Sequence, residues 1–122
     1  MRRASGWLRG VLLLCRVGAC ALVLLLLAAT PAQASSALDL VDIARAHEAA
    51  HEDDLAVRRY TEAIALDATC EEAYIGLGRL RARRGDLREA ERVYNVALEH
   101  VPQLRAARVG RAYVRRALGA RA

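Results

Sequence analysis

A gapless repeat of 34 residues constrains this chain of 122 residues more than any other feature it has. Ala44 recurs as Gly78 and Ala112, Ala56 as Ala90, Tyr60 as Tyr94, and Ala63 as Ala97, while Leu40 and Ile43 recur as Tyr74 and Leu77. A period of this length that preserves small side chains means stacked supersecondary units, none of which buries its apolar face alone. Inside each period the apolar spacing is three and four, as in Leu40, Ile43 and Ala44, or Val93, Ala97 and Val101. That spacing is helical and excludes strands as the repeating element.

Local signals place the helices. Ser36 with Asp39, Thr69 with Glu72, and Asp86 with Glu89 each show a capping residue followed three positions later by an acid, the spacing of a capping box. Gly85 is free to take the left-handed conformation that ends a helix, and Pro102 stops the helix before it. The spacing predicts helices over 37–50, 54–67, 71–84, 87–100 and 104–118, an all-α chain of about five helices.

These residues resemble the tetratricopeptide repeat, a helix, tight turn and second helix in 34 residues. Unit two, 71–104, carries the fuller pattern in Tyr74, Leu77, Gly78, Gly85, Asp86, Glu89, Ala90, Tyr94, Ala97, Leu98 and Pro102. Unit one, 37–70, keeps Ala44, Ala56, Tyr60, Ala63, Leu66 and Asp67 but has His51 at the turn glycine and Ala68 at the closing proline. His47 and Arg81 replace the late aromatic residue of the first helix in both units. The resemblance implies a short right-handed solenoid of helical hairpins. Residues 105–122 start a third unit and stop after one helix, as a terminal cap does. In this cap, Val109, Ala112, Tyr113 and Ala117 are expected to face inward and Arg105, Arg108, Arg111 and Arg115 to face water. Two units and a cap fall short of the three repeats usual for stability, so self-association or a partner is expected to contribute.

The net charge of +5 suggests nucleic acid only until the first 34 residues are set apart. From Ser35 onward there are 15 arginines and 14 acids, a net of +1, which is no nucleic-acid balance. Residues 35–72 hold 3 arginines and 10 acids, and residues 73–122 hold 12 arginines and 4 acids. An acidic front and basic back favour head-to-tail association or steering of a charged partner.

Residues 1–34 read as an export signal. Arg2, Arg3 and Arg9 precede an apolar run from Val17 to Ala29, and Ala32 and Ala34 supply the small side chains of a cleavage site. Cleavage after Ala34 delivers a periplasmic or secreted domain over 35–122; the alternative is an uncleaved anchor in the inner membrane over 11–29. Cys15 and Cys20 leave with a cleaved signal, so Cys70 has no intramolecular partner.

His47, Glu48 and His51 spell HExxH, in which two imidazoles one turn apart hold zinc and the glutamate activates water. A zinc-dependent peptidase is therefore the alternative function. The 34-residue register opposes it, since it assigns His47 to packing and His51 to a turn. No phosphate loop, nucleophile elbow or cysteine-pair metal site occurs. The expectation is a module without catalysis, metal or cofactor, which binds a protein or peptide and no nucleic acid.

The resemblance implies a peptide groove along the first helices of the units. It would be lined by Val41 and Arg45 from unit one, Ile75, Arg79 and Arg83 from unit two, and Tyr113 and Arg116 from the cap, with Glu48 beside them. Arg45 and Arg79, one period apart, are expected to project in parallel and clamp carboxylates of an acidic segment. The chaperone-tail clamp of some relatives needs Lys and Asn where Val41 and Gly76 stand, so that ligand is not implied.

Overall fold

The computed structural model describes residues 35–122. The expected export signal or anchor, with Cys15 and Cys20, lies outside the described residues.

Five helices follow one another: α1 Ala37–Ala49, α2 Asp53–Leu66, α3 Glu71–Arg83, α4 Leu87–His100 and α5 Arg105–Arg121. Each packs on the next in sequence, and α1 also packs on α3 and α3 on α5. The first helices of the units thus form one row, and α2 and α4 stand behind it. Alanine makes these crossings close: Ala44, Ala56, Ala63, Ala73, Ala90, Ala97 and Ala107 are fully buried. A small side chain at a contact lets two helix axes approach. Tyr60, Tyr74, Leu80, Val41 and Val114 are the largest fully buried side chains and fill the remaining space.

The helix ends show which sequence signals acted. At α1, the Ser36 hydroxyl accepts from the Asp39 N–H at 3.1 Å and the Asp39 carboxylate accepts from the Ser36 N–H at 2.8 Å, a complete capping box. The Ser36 N–H holds the Asp39 carboxyl below its ordinary range. The other two predicted boxes do not form. Thr69 turns back, giving its N–H and hydroxyl to the Asp67 carboxylate at 2.8 and 2.7 Å, and Cys70 becomes the residue before α3. Asp86 precedes α4 as predicted, yet its carboxylate meets Arg81 at 3.4 Å instead of a backbone N–H. In both cases a competing side-chain partner outweighs the cap.

Both hairpin turns end their first helix in the same way. Glu52 N–H bonds to His47 C=O at 2.9 Å and His51 N–H to Glu48 C=O at 3.1 Å; one period on, Asp86 bonds to Arg81 at 3.0 Å and Gly85 to Ala82 at 3.0 Å. This is the Schellman pattern, which needs a left-handed residue just beyond the helix. Gly85 supplies it with φ +87°, and His51 is forced into it with φ +60°.

The inward face of α5 differs from the sequence expectation. Val109, Ala112 and Tyr113 are exposed, and the buried side is Ala107 and Val114, with Ala117 and Leu118 partly covered. Arg111 is half-buried, donating to the Asn95 amide oxygen at 3.1 Å. The period explains this rotation, because Ala107, Gly110 and Val114 repeat Ala73, Gly76 and Leu80 of α3.

Candidate functional site

The row of α1, α3 and α5 carries two hollows that share Arg79. The first, about 230 Å³, is lined by Arg45, Tyr60, Glu71, Glu72, Ile75, Gly76, Arg79, Leu104 and Ala106. The second, about 320 Å³, is lined by Arg79, Ala82, Arg83, Tyr94 and Tyr113. Five of the seven residues expected in a groove therefore border these hollows: Arg45, Ile75, Arg79, Arg83 and Tyr113. Arg116 is exposed and borders neither. Val41 is a correction. Its side chain is 1% exposed and belongs to the core, since with Ala37 and Ala44 it forms the inward stripe of α1 at spacing four and three.

The three arginines that border the hollows, Arg45, Arg79 and Arg83, are already paired within the chain. The Glu48 side chain is 10% exposed and lies where three helices meet. Its Oε1 accepts from the Tyr60 hydroxyl at 2.6 Å and from Arg79 at 3.1 Å, and its Oε2 accepts from Arg83 at 3.3 Å. Arg83 reaches on to Asp53 at 3.0 Å, and Arg45 pairs with Asp42 on its own helix at 3.0 Å. Burial, then the bond to Glu48, pushes the Tyr60 phenol up to about 12. Arg45 and Arg79 both border the first hollow, each directed to its own acid, Asp42 and Glu48. Neither is an unpaired cation. Sequence reasoning put Glu48 on this wall and missed its role as counter-ion, which depends on Tyr60 of α2 arriving beside it.

The HExxH residues are drawn apart in purpose. His51 has left α1 for the left-handed turn position, the His47 Nδ1 bonds to Glu52 at 2.6 Å, and Glu48 is held by a tyrosine and two arginines. Among the described residues no three of His, Cys, Asp and Glu gather as a metal site. Cys70 is buried at the start of α3, and burial pushes its thiol up, away from the reactive thiolate.

No protein-family model and no curated protein matches this chain. Among solved structures it is similar to the second TPR domain of human RPAP3, seen by NMR in complex with the HSP70 peptide SGPTIEEVD. The TM-score is 0.59 at 25% identity, over 66% of this chain and 68% of that one. The fold is that of a tetratricopeptide-repeat domain. In this TPR-like domain the two hollows lie along the first helices of the hairpins.

Proposed function

We propose that this TPR-like domain is a protein-interaction module that holds a peptide segment of a partner along α1, α3 and α5, without catalysis. The observation that carries this reading is the pair of hollows joined at Arg79, with the apolar Ile75 at one end and the 67% exposed Tyr113 at the other. An exposed tyrosine on a rigid helix offers large contact area at small entropic cost, and paired arginines beside it give a peptide polar anchors. The complex of the similar RPAP3 domain with an HSP70 peptide supports a peptide ligand. The segment suited to this face is acidic with apolar residues between its acids. Its carboxylates would exchange with Glu48 and Asp42 for Arg79 and Arg45. The export reading of residues 1–34 places this interaction in the periplasm or outside the cell, or at the inner membrane where the segment stays as an anchor.

Photo-crosslinking tests the proposal. A benzophenone side chain is placed at position 113, and in a second protein at position 92, which is exposed on α4. The expected result is a defined peptide of another protein captured from position 113 and not from position 92. Capture from position 92 alone, or equal capture from both, would move the binding surface off this face.

A further inference from the structure

The two ends of the helical stack reuse the contact positions of its interior, filled with opposite charges. Inside the stack, α3 meets the unit before it through Ala73, Gly76 and Leu80, and α5 does so through Ala107, Gly110 and Val114. One period earlier, α1 holds Asp39, Asp42 and Ala46 at these positions, and all three are exposed. A surface built to meet a preceding unit is here acidic.

The other end shows the converse. In α3, Tyr74 is buried with Leu87 and Ala90 of α4, and Gly78 lies so close to Tyr94 that a side chain there would strike the ring. One period later, α5 holds Arg108 and Ala112 at these positions, both exposed, with the exposed Arg115 a turn on. Arg111 is half-buried and, like Arg115, reaches back to α4, through Asn95 and Glu91. Six arginines and no acid lie on α5, and among the described residues only Arg115 has an acidic partner, Glu91 at 2.6 Å.

A small residue at a helix crossing, flanked by cations, fits an acidic helix. Residues 1–34 carry four arginines and no acid, so the chain's own leading segment has the wrong charge for it. The complement is present in unit one, with its 10 acids against 3 arginines over 35–72. We propose that the exposed face of α5 docks the α1 end of a second copy of this chain, Asp39 and Asp42 of one copy facing Arg108 and Arg115 of the next. Asp42 is 75% exposed and, among the described residues, pairs with Arg45 a turn away, so it is accessible to such a partner. Two different surfaces make a heterologous contact that leaves one acidic and one basic end open after each addition, so copies add as open chains and do not close as a dimer. The contact is screened by salt, because its charges are exposed.

Sedimentation equilibrium of the purified full-length chain tests this at low and at high salt. The expected result is a mass that rises with concentration at low salt and returns to that of one chain at high salt. The Asp42→Lys chain and the Arg108→Glu/Arg115→Glu chain are each expected to stay monomeric alone, and an equimolar mixture is expected to regain association, because the intact ends dock and the two reversed ends are again opposite in charge. Circular dichroism melts verify that both variants fold, and Arg108→Gln/Arg115→Gln serves as a milder basic-end variant. A wild-type chain that stays monomeric at low salt, a closed dimer, or association that survives in either variant alone overturns the proposal.

Discussion

The ring of Tyr60 occupies the space in which a side chain on Gly76 would stand: an added Cβ would lie under 3.0 Å from three atoms of the phenol. The same lock recurs one period later, where the Tyr94 ring fills the space at Gly110. The second helix of each unit is thus seated against the first helix of the next by a tyrosine over a glycine. Both rings are buried, so neither has room to swing aside. Gly76→Ala and Gly110→Ala are each expected to cost about 1–3 kcal/mol, the range for overpacking a core. Gly119→Ala, on α5 with nothing within 4 Å, is expected to be neutral or to stabilise by up to about 1 kcal/mol through helix propensity. Urea unfolding of the three variants checks the contrast.

Tyr60 and Tyr74 are both buried, but their hydroxyls differ. Tyr60 donates to Glu48 at 2.6 Å, whereas the Tyr74 hydroxyl has no hydrogen-bond partner among the described residues and its ring stacks on His100 at 6.4 Å. Tyr60→Phe is expected to destabilise by about 1.5–3 kcal/mol, as for a bond to a charged group. Tyr74→Phe is expected to be neutral or stabilising, because it removes a desolvated hydroxyl that gains nothing in the fold. Equal losses in thermal melts of the two variants would refute the distinction.

His51 and Gly85 hold equivalent turn positions, and only the glycine does so without strain. A side-chain-bearing residue in the left-handed region costs about 1–2 kcal/mol. His51→Gly is therefore expected to raise stability by about 1 kcal/mol, less the added freedom of the unfolded chain. Gly85→Ala is expected to lower it by a similar amount. The His51 variant also removes the second imidazole of HExxH, so unchanged metal content after the substitution checks that motif as well.

The legible part of this fold was local or periodic. Helix ends followed from Ser36, Gly85 and Pro102, and the stack followed from residues 34 apart. The face of α5 was misjudged by assuming that apolar means inward, which put Val109 and Tyr113 inside. The period itself gave the right answer, since Ala73, Gly76 and Leu80 recur as Ala107, Gly110 and Val114. Glu48 was not legible as a counter-ion. Its partners come from α2 and α3, 12 and 31 residues away, and no spacing rule reports which side chains meet at a three-helix junction.

Stability is expected to decline at both extremes of pH. On the alkaline side, Tyr60 keeps its proton in the fold to about 12 but loses it near 10 when unfolded. Its contribution is complete below pH 10 and is lost as pH rises from 10 toward 12. Tyr74 and Tyr94 are pushed up by burial and act in the same sense. On the acid side, Asp54 beside Arg84, Asp39 at the Ser36 cap and Asp67 beside Thr69 all ionise below the ordinary 3.8. Their contribution is present above that value and is lost as pH falls through their lowered range. Urea midpoints across pH check this, and Tyr60→Phe is expected to shrink the alkaline decline without removing it.

The pairing of Arg79 with Glu48 sets what a bound acidic segment gains from this face. An unpaired arginine would add the full strength of a charge-assisted bond, about 1.5–3 kcal/mol. In the proposed complex a ligand carboxylate would exchange with one already present, and the Arg79 side chain is 59% exposed, so solvent weakens both pairings. Arg79→Ala is expected to weaken the peptide captured at position 113 by only about 0.5–1 kcal/mol. Arg92→Ala, whose side chain is 73% exposed and pairs with Glu89 on α4, is expected to change affinity by less than about 0.5 kcal/mol. Glu48→Gln keeps an acceptor for Tyr60 and removes the competing charge, so it is expected to tighten binding and to steepen the fall of affinity with salt. Calorimetric titrations of the three variants at two ionic strengths measure this. Tighter binding by Glu48→Gln with weaker binding by Arg79→Ala identifies the arginine as shared between Glu48 and the ligand, whereas weaker binding in both means that Glu48 and Arg79 together hold the wall against which the peptide lies.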